Sequence, residues 1–150
     1  MRFFDKIVLL KKDLENLGFE VFTPEEEGTE TDYTKLAPKE QSDIKQNFID
    51  EHIAKIKQSD SILVANYDKN GLESYIGANT FLEMAFAYIL GKKIFLLNKI
   101  PGQPNSIEIA GLKPIALNTN LNSLNDYLWK YFTLANTVYE VRVKARIWYD

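Results

Sequence analysis

Cysteine is absent from this sequence of 150 residues, and histidine occurs only once. The first absence excludes disulfide bonds and thiolate metal sites, and the second excludes a histidine-rich metal site. No apolar run approaches the roughly 20 residues that a membrane-spanning helix needs, and no signal peptide is apparent. We therefore expect a cytoplasmic protein that has no membrane partner.

An excess of basic residues is also missing. The formal net charge is −3, which argues against a basic face for nucleic acid. The composition is 45% hydrophobic and 26% charged, as in ordinary globular proteins. This length and composition predict a single domain over residues 1–150, in which residues 137–150 form a C-terminal extension.

The stretch from Asp60 to Leu97 organises the rest of the chain. Its apolar run Ser61–Ala65 predicts a buried strand, and a polar, glycine-containing loop follows from Asn66 to Asn79. A helix is predicted over Thr80–Leu90, apolar on nearly every face, and such helices are usually buried. The next strand is Lys93–Leu97. This strand–helix–strand order predicts a parallel sheet.

Glu83 is the only charged residue in that helix, where we place it in the first turn. One interpretation is a capping box, in which Thr80 caps the helix and Glu83 bonds back to the N–H of the cap. The other is a ligand site, because ligands of open parallel sheets bind beyond the carboxyl ends of the strands. The helix N-terminus favours an ionised carboxylate there, which suits a nucleophile. Both interpretations stay open, and they are compatible.

These residues resemble a known family. A strand ending at Asn66, a glycine-containing loop, and a helix with Glu83 before Ala85-Phe86-Ala87-Tyr88 and Gly91-Lys92-Lys93 are similar to the nucleoside 2-deoxyribosyltransferase superfamily, which includes the deoxynucleoside monophosphate N-glycosidases. The resemblance covers roughly residues 13–117. It implies that Glu83 attacks the anomeric carbon of the sugar and displaces the base. Six residues before this Glu, where the family has Asp or Ser, the chain has Gly77.

Other patterns complete the predicted fold. Helices are predicted over residues 1–17, from Ser42 or Asp43 to Gln58, over Ser106–Ala110 and over 121–132, and strands over 19–23 and 113–117. The segment Glu25–Gln41 is predicted to be a solvated loop or, alternatively, a lid. We expect a flavodoxin-like three-layer α/β sandwich with a mainly parallel sheet of about four or five strands.

The candidate substrate-binding residues lie on the loop after the central strand and at the start of its helix. Asp68 is a candidate to hold or protonate the leaving base, and Asn66 to bond the sugar or base, although Asp68-Lys69-Asn70-Gly71 is equally typical of a simple turn. Tyr75 is a candidate to stack on a base or to tuck the loop down. The remaining candidates are Tyr67, Gly77, Asn79 and Thr80.

Several further polar residues have competing interpretations. His52 lies mid-helix beside an apolar stripe, which favours a packed structural histidine over a general acid or base. Lys35, Lys39 and Lys99 are candidates to contact a 5′-phosphate, against a background of ordinary surface lysines. Glu108 is a candidate to face the pocket.

The tail alternates apolar and charged residues from Val138 to Tyr149, which predicts a one-sided strand. The family-like order has a first strand between the strand at Phe19 and the strand at Ser61, and the sequence before the first helix provides none. Burying the tail's three cations in that slot would be costly, so an edge strand or a subunit-pairing strand is favoured. A homo-oligomer is therefore expected, with Tyr149 as a weak site candidate. Two explanations of the missing strand compete: either this chain is a shortened form, which would be weakly active or inactive, or the sheet has been rebuilt around the loss.

The leading functional hypothesis is cleavage or transfer at the N-glycosidic bond of a deoxynucleoside or its monophosphate by a retaining mechanism. Glu83 is the nucleophile and Asp68 or Asn66 assists the base, with no cofactor and no metal ion. The partner is then a small-molecule nucleoside or nucleotide. The alternatives are a nucleotide-binding module without turnover and a subunit-association domain of the same fold.

Overall fold

A computed structural model describes residues 3–23, 35–129 and 144–148 of the chain. The elements in chain order are α1 (Phe4–Asn16), β1 (Glu20–Phe22), α2 (Pro38–Lys57), β2 (Ser61–Val64), α3 (Ala78–Ile89), β3 (Lys93–Leu96), α4 (Ser106–Gly111), β4 (Ile115–Ala116), α5 (Ser123–Trp129) and β5 (Lys144–Trp148). The predicted α/β class is confirmed. Residues 25–34, most of the predicted loop Glu25–Gln41, lie outside the described residues.

The strands form one sheet in the spatial order β1-β5-β2-β3-β4, and every described pairing is parallel. β2 is central, with Leu63 opposite Phe95 of β3 on one side and Ile147 of β5 on the other. Parallel neighbours bring the carboxyl ends of β2, β3 and β4 to the same edge of the sheet. That edge is where the loop carrying the candidate residues begins.

The tail strand is not an edge strand, and this prediction was wrong. β5 pairs with β1 through Val21 opposite Ala145, and with β2 on its other side, so it occupies the slot that the sequence left without a strand. Each vacant ladder would otherwise leave backbone N–H and C=O groups unpaired, at a cost of roughly 1–3 kcal/mol per buried group. The need of β1 and β2 for backbone hydrogen-bond partners outweighs the cost of placing a strand with cationic residues between them. Arg142 and Tyr149 lie outside the described residues.

Alternating side chains of the central strands build two cores, one on each face of the sheet. One core joins Leu63 of β2 and Ala65, the residue after β2, to α1, α5 and Ile147. The other joins Ile62 and Val64 to α2, α3 and α4. Helices therefore cover both faces, and β2 has all four of its residues buried because it faces apolar layers on both sides.

The two helices that carry candidate residues begin earlier than predicted. α2 begins at Pro38, which is suited to a first helical position because its missing N–H would be unpaired there anyway. Glu40 accepts a hydrogen bond from the N–H of Ala37 at 2.9 Å and fixes this start. α3 is not buried on every face as predicted, since Leu82, Tyr88 and Ile89 are exposed. No described helix combines the length and the apolar character needed to cross a membrane.

Candidate functional site

The start of α3 sets the position of Glu83, and it differs from the prediction. The N-cap is Gly77, whose carbonyl accepts the N–H of Phe81 at 2.9 Å, and Thr80 is already inside the helix. The proposed capping box is therefore wrong, because Thr80 has helical rather than capping geometry. Glu83 is the sixth helical residue, so the helix dipole, whose effect fades beyond the first turn, stabilises its charge less than expected.

Glu83 instead lies on the buried face of α3, with Thr80, Met84 and Ala87. Its side chain is 6% exposed, and its Oε1 lies 2.5 Å from Nδ1 of His52, whose side chain is 25% exposed. His52 belongs to α2, so this contact joins the two helices on one face of the sheet. A carboxylate taken out of water needs such a partner, because an unpaired buried charge is strongly destabilising.

Asn66 holds together the loops that leave β2 and β3. Its side-chain amide donates to the carbonyls of Ser74 and Lys99 at 3.2 and 2.9 Å, and its oxygen accepts the N–H of Asn98 at 2.9 Å. The Asn98 side chain in turn donates to the Asn66 carbonyl at 3.0 Å. Asn66 is buried, so these bonds satisfy polar groups that water does not reach.

Two further side chains fix the same loop. Asp68 accepts the N–H of Ser74 on Oδ1 at 2.8 Å, which closes the turn over residues 68–74. Gln103 pairs with both backbone groups of Ile76, accepting its N–H at 3.0 Å and donating to its carbonyl at 2.8 Å. Ile76 directly precedes the N-cap of α3. These hydrogen bonds therefore fix the conformation of the loop that precedes α3.

A polar cleft of about 430 Å³ lies at the carboxyl ends of β2, β3 and β4. It is lined by Lys6, Tyr67, Asp68, Glu73, Ser74, Asn98, Lys99, Asn118 and Thr119. The Tyr67 ring packs against Phe3 with centroids 5.4 Å apart and lies under Nζ of Lys6 at 4.8 Å. Burial raises the pKa of the Tyr67 phenol, which therefore remains neutral near pH 7.

The lysines proposed for phosphate binding differ in position. Lys99 lines the cleft and its ammonium contacts the carboxylate of Glu73, which raises the Lys99 pKa through the hydrogen bond and the charge of Glu73. This contact offsets the charge that Lys99 would offer a phosphate. Lys35 and Lys39 are exposed near the start of α2 and do not line this cleft.

The structure divides the candidate residues into two groups. Tyr67 and Asp68 line the cleft, which borders α1, whereas Glu83 pairs with His52 between α2 and α3 on the opposite face of the sheet. The two predicted catalytic residues are therefore not brought into one described cavity. Thr80 is buried near Glu83 on α3.

The other candidates lie outside the cleft. Asn79 is exposed on α3, and Glu108 is exposed on α4. Tyr75 is half-buried, with Nζ of Lys69 at 5.3 Å over its ring, and its N–H donates to the Tyr67 carbonyl at 3.1 Å. This arrangement is that of a ring tucking the loop down, which was one of the two interpretations of Tyr75.

The sequence left two features of the site unidentified. A packed, hydrogen-bonded histidine was favoured at position 52, but nothing in the sequence shows that α2 places His52 against Glu83. Gln103 was not considered, since a glutamine in a loop has no motif that predicts backbone pairing with a segment 27 residues away. The one available signal was that His52 is the only histidine of the chain.

Among residues 3–23, 35–129 and 144–148, no three His, Asp or Glu side chains are grouped so as to hold a metal ion. No protein-family model matches the chain, and neither a curated protein nor a solved structure shows significant similarity to it. Function must therefore be argued from the geometry of the site.

Proposed function

We propose that this chain cleaves or transfers the N-glycosidic bond of a deoxynucleoside or its monophosphate, with Glu83 as the nucleophile. The observation that carries the proposal is the buried Glu83 carboxylate, the only charged group of α3, whose Oε1 lies 2.5 Å from Nδ1 of His52 in α2. A buried carboxylate adds little stability, even with a polar partner, compared with apolar side chains of similar size. A chemical role gives this site a reason to keep a carboxylate.

The proposed reaction is a retaining one. Glu83 attacks the anomeric carbon through an oxocarbenium-like transition state, and water or a second base then resolves the glycosyl ester. The substrate is a small nucleoside or nucleotide, and we place the enzyme in the cytoplasm. Assistance to the departing base by Asp68 or Asn66 stays a prediction. Self-association also stays a prediction, although β5, the strand that motivated it, is used within the chain.

We also propose that the fold is a flavodoxin-like sandwich. In that arrangement the strand order is 2-1-3-4-5, with a ligand site beside the central first strand. The order β1-β5-β2-β3-β4 matches it if β5 takes the place of the first strand. The match supports a site at the carboxyl ends of β5 and β2.

The test is release of free base from a panel of deoxynucleosides and their monophosphates. Glu83→Gln keeps an acceptor for His52 and removes the nucleophile, so turnover should fall by roughly 10³-fold or more while the free energy of unfolding changes by about 1 kcal/mol or less. Glu15→Gln removes an exposed carboxylate of α1 instead and should leave turnover unchanged. A sugar ester on Glu83 in a mass spectrum would be direct support, and normal turnover by Glu83→Gln would refute the mechanism.

A second candidate function is small-ligand binding without turnover. The observation that favours it is the polar cleft at the carboxyl ends of β2, β3 and β4, which does not include Glu83. A ligand bound there at 100 times its Kd would stabilise the fold by about 2.7 kcal/mol. A rise in melting temperature with a nucleotide, without release of base, would favour binding alone.

A further inference from the structure

The proposed function gives the contact between His52 and Glu83 a direction. A nucleophilic carboxylate is ionised and can only accept hydrogen bonds, so this role of Glu83 requires Nδ1 of His52 to carry a proton and donate it to Oε1, 2.5 Å away. Of the two side chains, the carboxylate is the more buried, at 6% against 25% exposure. The bond therefore fixes the rotation of the Glu83 carboxylate by holding its Oε1.

We propose that His52 is the positioning residue for Glu83: its Nδ1–H holds Oε1 and so fixes the orientation of the carboxylate that attacks the sugar. This inference rests on the proposed function. In the first step a Glu83 carboxylate oxygen bonds to the anomeric carbon while the carbon–nitrogen bond breaks and its electron pair leaves with the base. In the second step water attacks that carbon, the bond to the Glu83 oxygen breaks, and its electron pair returns to the carboxylate. The proton that water loses balances the proton that the base gains.

The same bond helps both steps. Before attack it holds the carboxylate in one orientation, and a misplacement of about 1 Å in such a group can cost about 100-fold in rate. During breakdown of the ester, negative charge returns to the Glu83 carboxyl group, and the N–H on Oε1 stabilises that charge. His52 acts through Glu83 in each case, without touching the substrate.

The rival explanation is that His52 only anchors α2. Ile56 is the one residue of α2 that is fully buried among its described side chains, so a bond to α3 would help to hold the helix in place. An anchoring role predicts that turnover follows stability in every variant. A positioning role predicts that turnover follows the location of the N–H donor.

Two amide variants separate these explanations. The side-chain nitrogen of His52→Asn can occupy the place of Nδ1, whereas the longer His52→Gln carries its nitrogen near the place of Nε2. Both variants are uncharged and polar. We expect kcat of His52→Asn within about tenfold of the original, and kcat of His52→Gln and His52→Ala lower by about 100-fold or more. The KM of all three should stay within about threefold, because the bond acts on Glu83 and not on the bound substrate.

A spectroscopic measurement tests the bond without relying on turnover or on the folding of a variant. Because the chain has a single histidine, its imidazole NMR signals need no assignment. The original protein should show a downfield Nδ1–H proton that is protected from exchange. Its absence would overturn the proposal, whatever the variants do. Its disappearance in Glu83→Ala, in a folded protein, would show that Glu83 is the acceptor.

Equal kcat values for the Asn and Gln variants at equal melting temperature would overturn the positioning role and favour anchoring. Normal turnover by His52→Ala would overturn it as well. If the original protein releases no base and forms no sugar ester with any member of the panel, the proposed function fails and this inference fails with it. That outcome is distinct from an active original protein whose His52 variants are indistinguishable.

Discussion

The two strands that flank β2 are held in the sheet in different ways. β3 follows β2 through a single helix and buries Ile94, Phe95 and Leu96 in the two cores. β5 lies in the chain 80 residues beyond the end of β2, and its Ile147 is buried in one of these cores. β5 nevertheless pairs along both of its edges. A strand can therefore be central because its neighbours need backbone partners, even when its own sequence is charged.

The largest expected effect comes from removing β5. A chain ending at Thr137 would leave β1 without its described partner and expose one edge of β2 inside the molecule. We expect it to lose cooperative thermal unfolding, since total stabilities of about 5–15 kcal/mol do not survive the loss of two strand ladders. Circular dichroism during heating and the spread of amide NMR signals measure this.

The matched control is a chain ending at Trp148, which keeps all of β5 and should unfold cooperatively. A chain ending at Thr137 that is monomeric, with the stability of the full protein, would show that β5 is dispensable. The strand would then be an edge or pairing element, as its alternating sequence first indicated.

The same contrast explains which parts of the fold the sequence predicts. The apolar runs around Ile62 and Ile94 indicate buried strands, because each residue has a core on one side or the other. The placement of β5 depends on a vacancy that exists only after the other strands assemble. A local sequence pattern cannot show that a place between β1 and β2 is vacant. The cost of burying the tail's cations therefore favoured an edge strand in the sequence-based prediction.

The candidate site divides in the same way. Glu83 was identifiable because a single charge in an apolar helix is unusual. Its partner His52 lies 31 residues away on another helix, and helix packing alone brings the two together. The sequence predicted that α3 begins at Thr80, because Thr80 and Glu83 fit a capping box. In the structure Gln103 fixes the backbone of Ile76, and the helix begins directly after Gly77.

An intermediate effect is expected between β2 and β3, where side-chain hydrogen bonds of the following loops add to the backbone hydrogen bonds between the strands. Asn66→Ala removes three hydrogen bonds and leaves the carbonyls of Ser74 and Lys99 and the N–H of Asn98 without this partner. We expect a loss of about 2–3 kcal/mol in the free energy of unfolding, measured by urea denaturation.

Asn98→Ala is the matched control for Asn66→Ala. It removes one side-chain bond, the one to the Asn66 carbonyl, and keeps the backbone N–H that Asn66 accepts. Its expected cost is about 1 kcal/mol. Equal losses in the free energy of unfolding for the two variants would contradict the central role of Asn66. The pairing of β2 with β3 would then depend on their backbone hydrogen bonds alone.

The smallest expected effect concerns Asp68, for which the sequence left assistance to the leaving base and a simple turn equally open. Its carboxylate accepts the Ser74 N–H in an exposed loop and lines the cleft, which includes neither Glu83 nor His52. Asp68→Asn keeps an oxygen for that N–H but cannot give a proton to a departing base. The geometry favours a role in holding the loop closed, so we expect turnover within about threefold of the original and a change in stability below about 0.5 kcal/mol.

Asp68→Ala should cost about 1–2 kcal/mol in the free energy of unfolding, because the charge-assisted bond is lost. If Asp68→Asn instead loses 10²- to 10⁴-fold in turnover at unchanged stability, Asp68 acts as the general acid and the loop must bring it to the substrate.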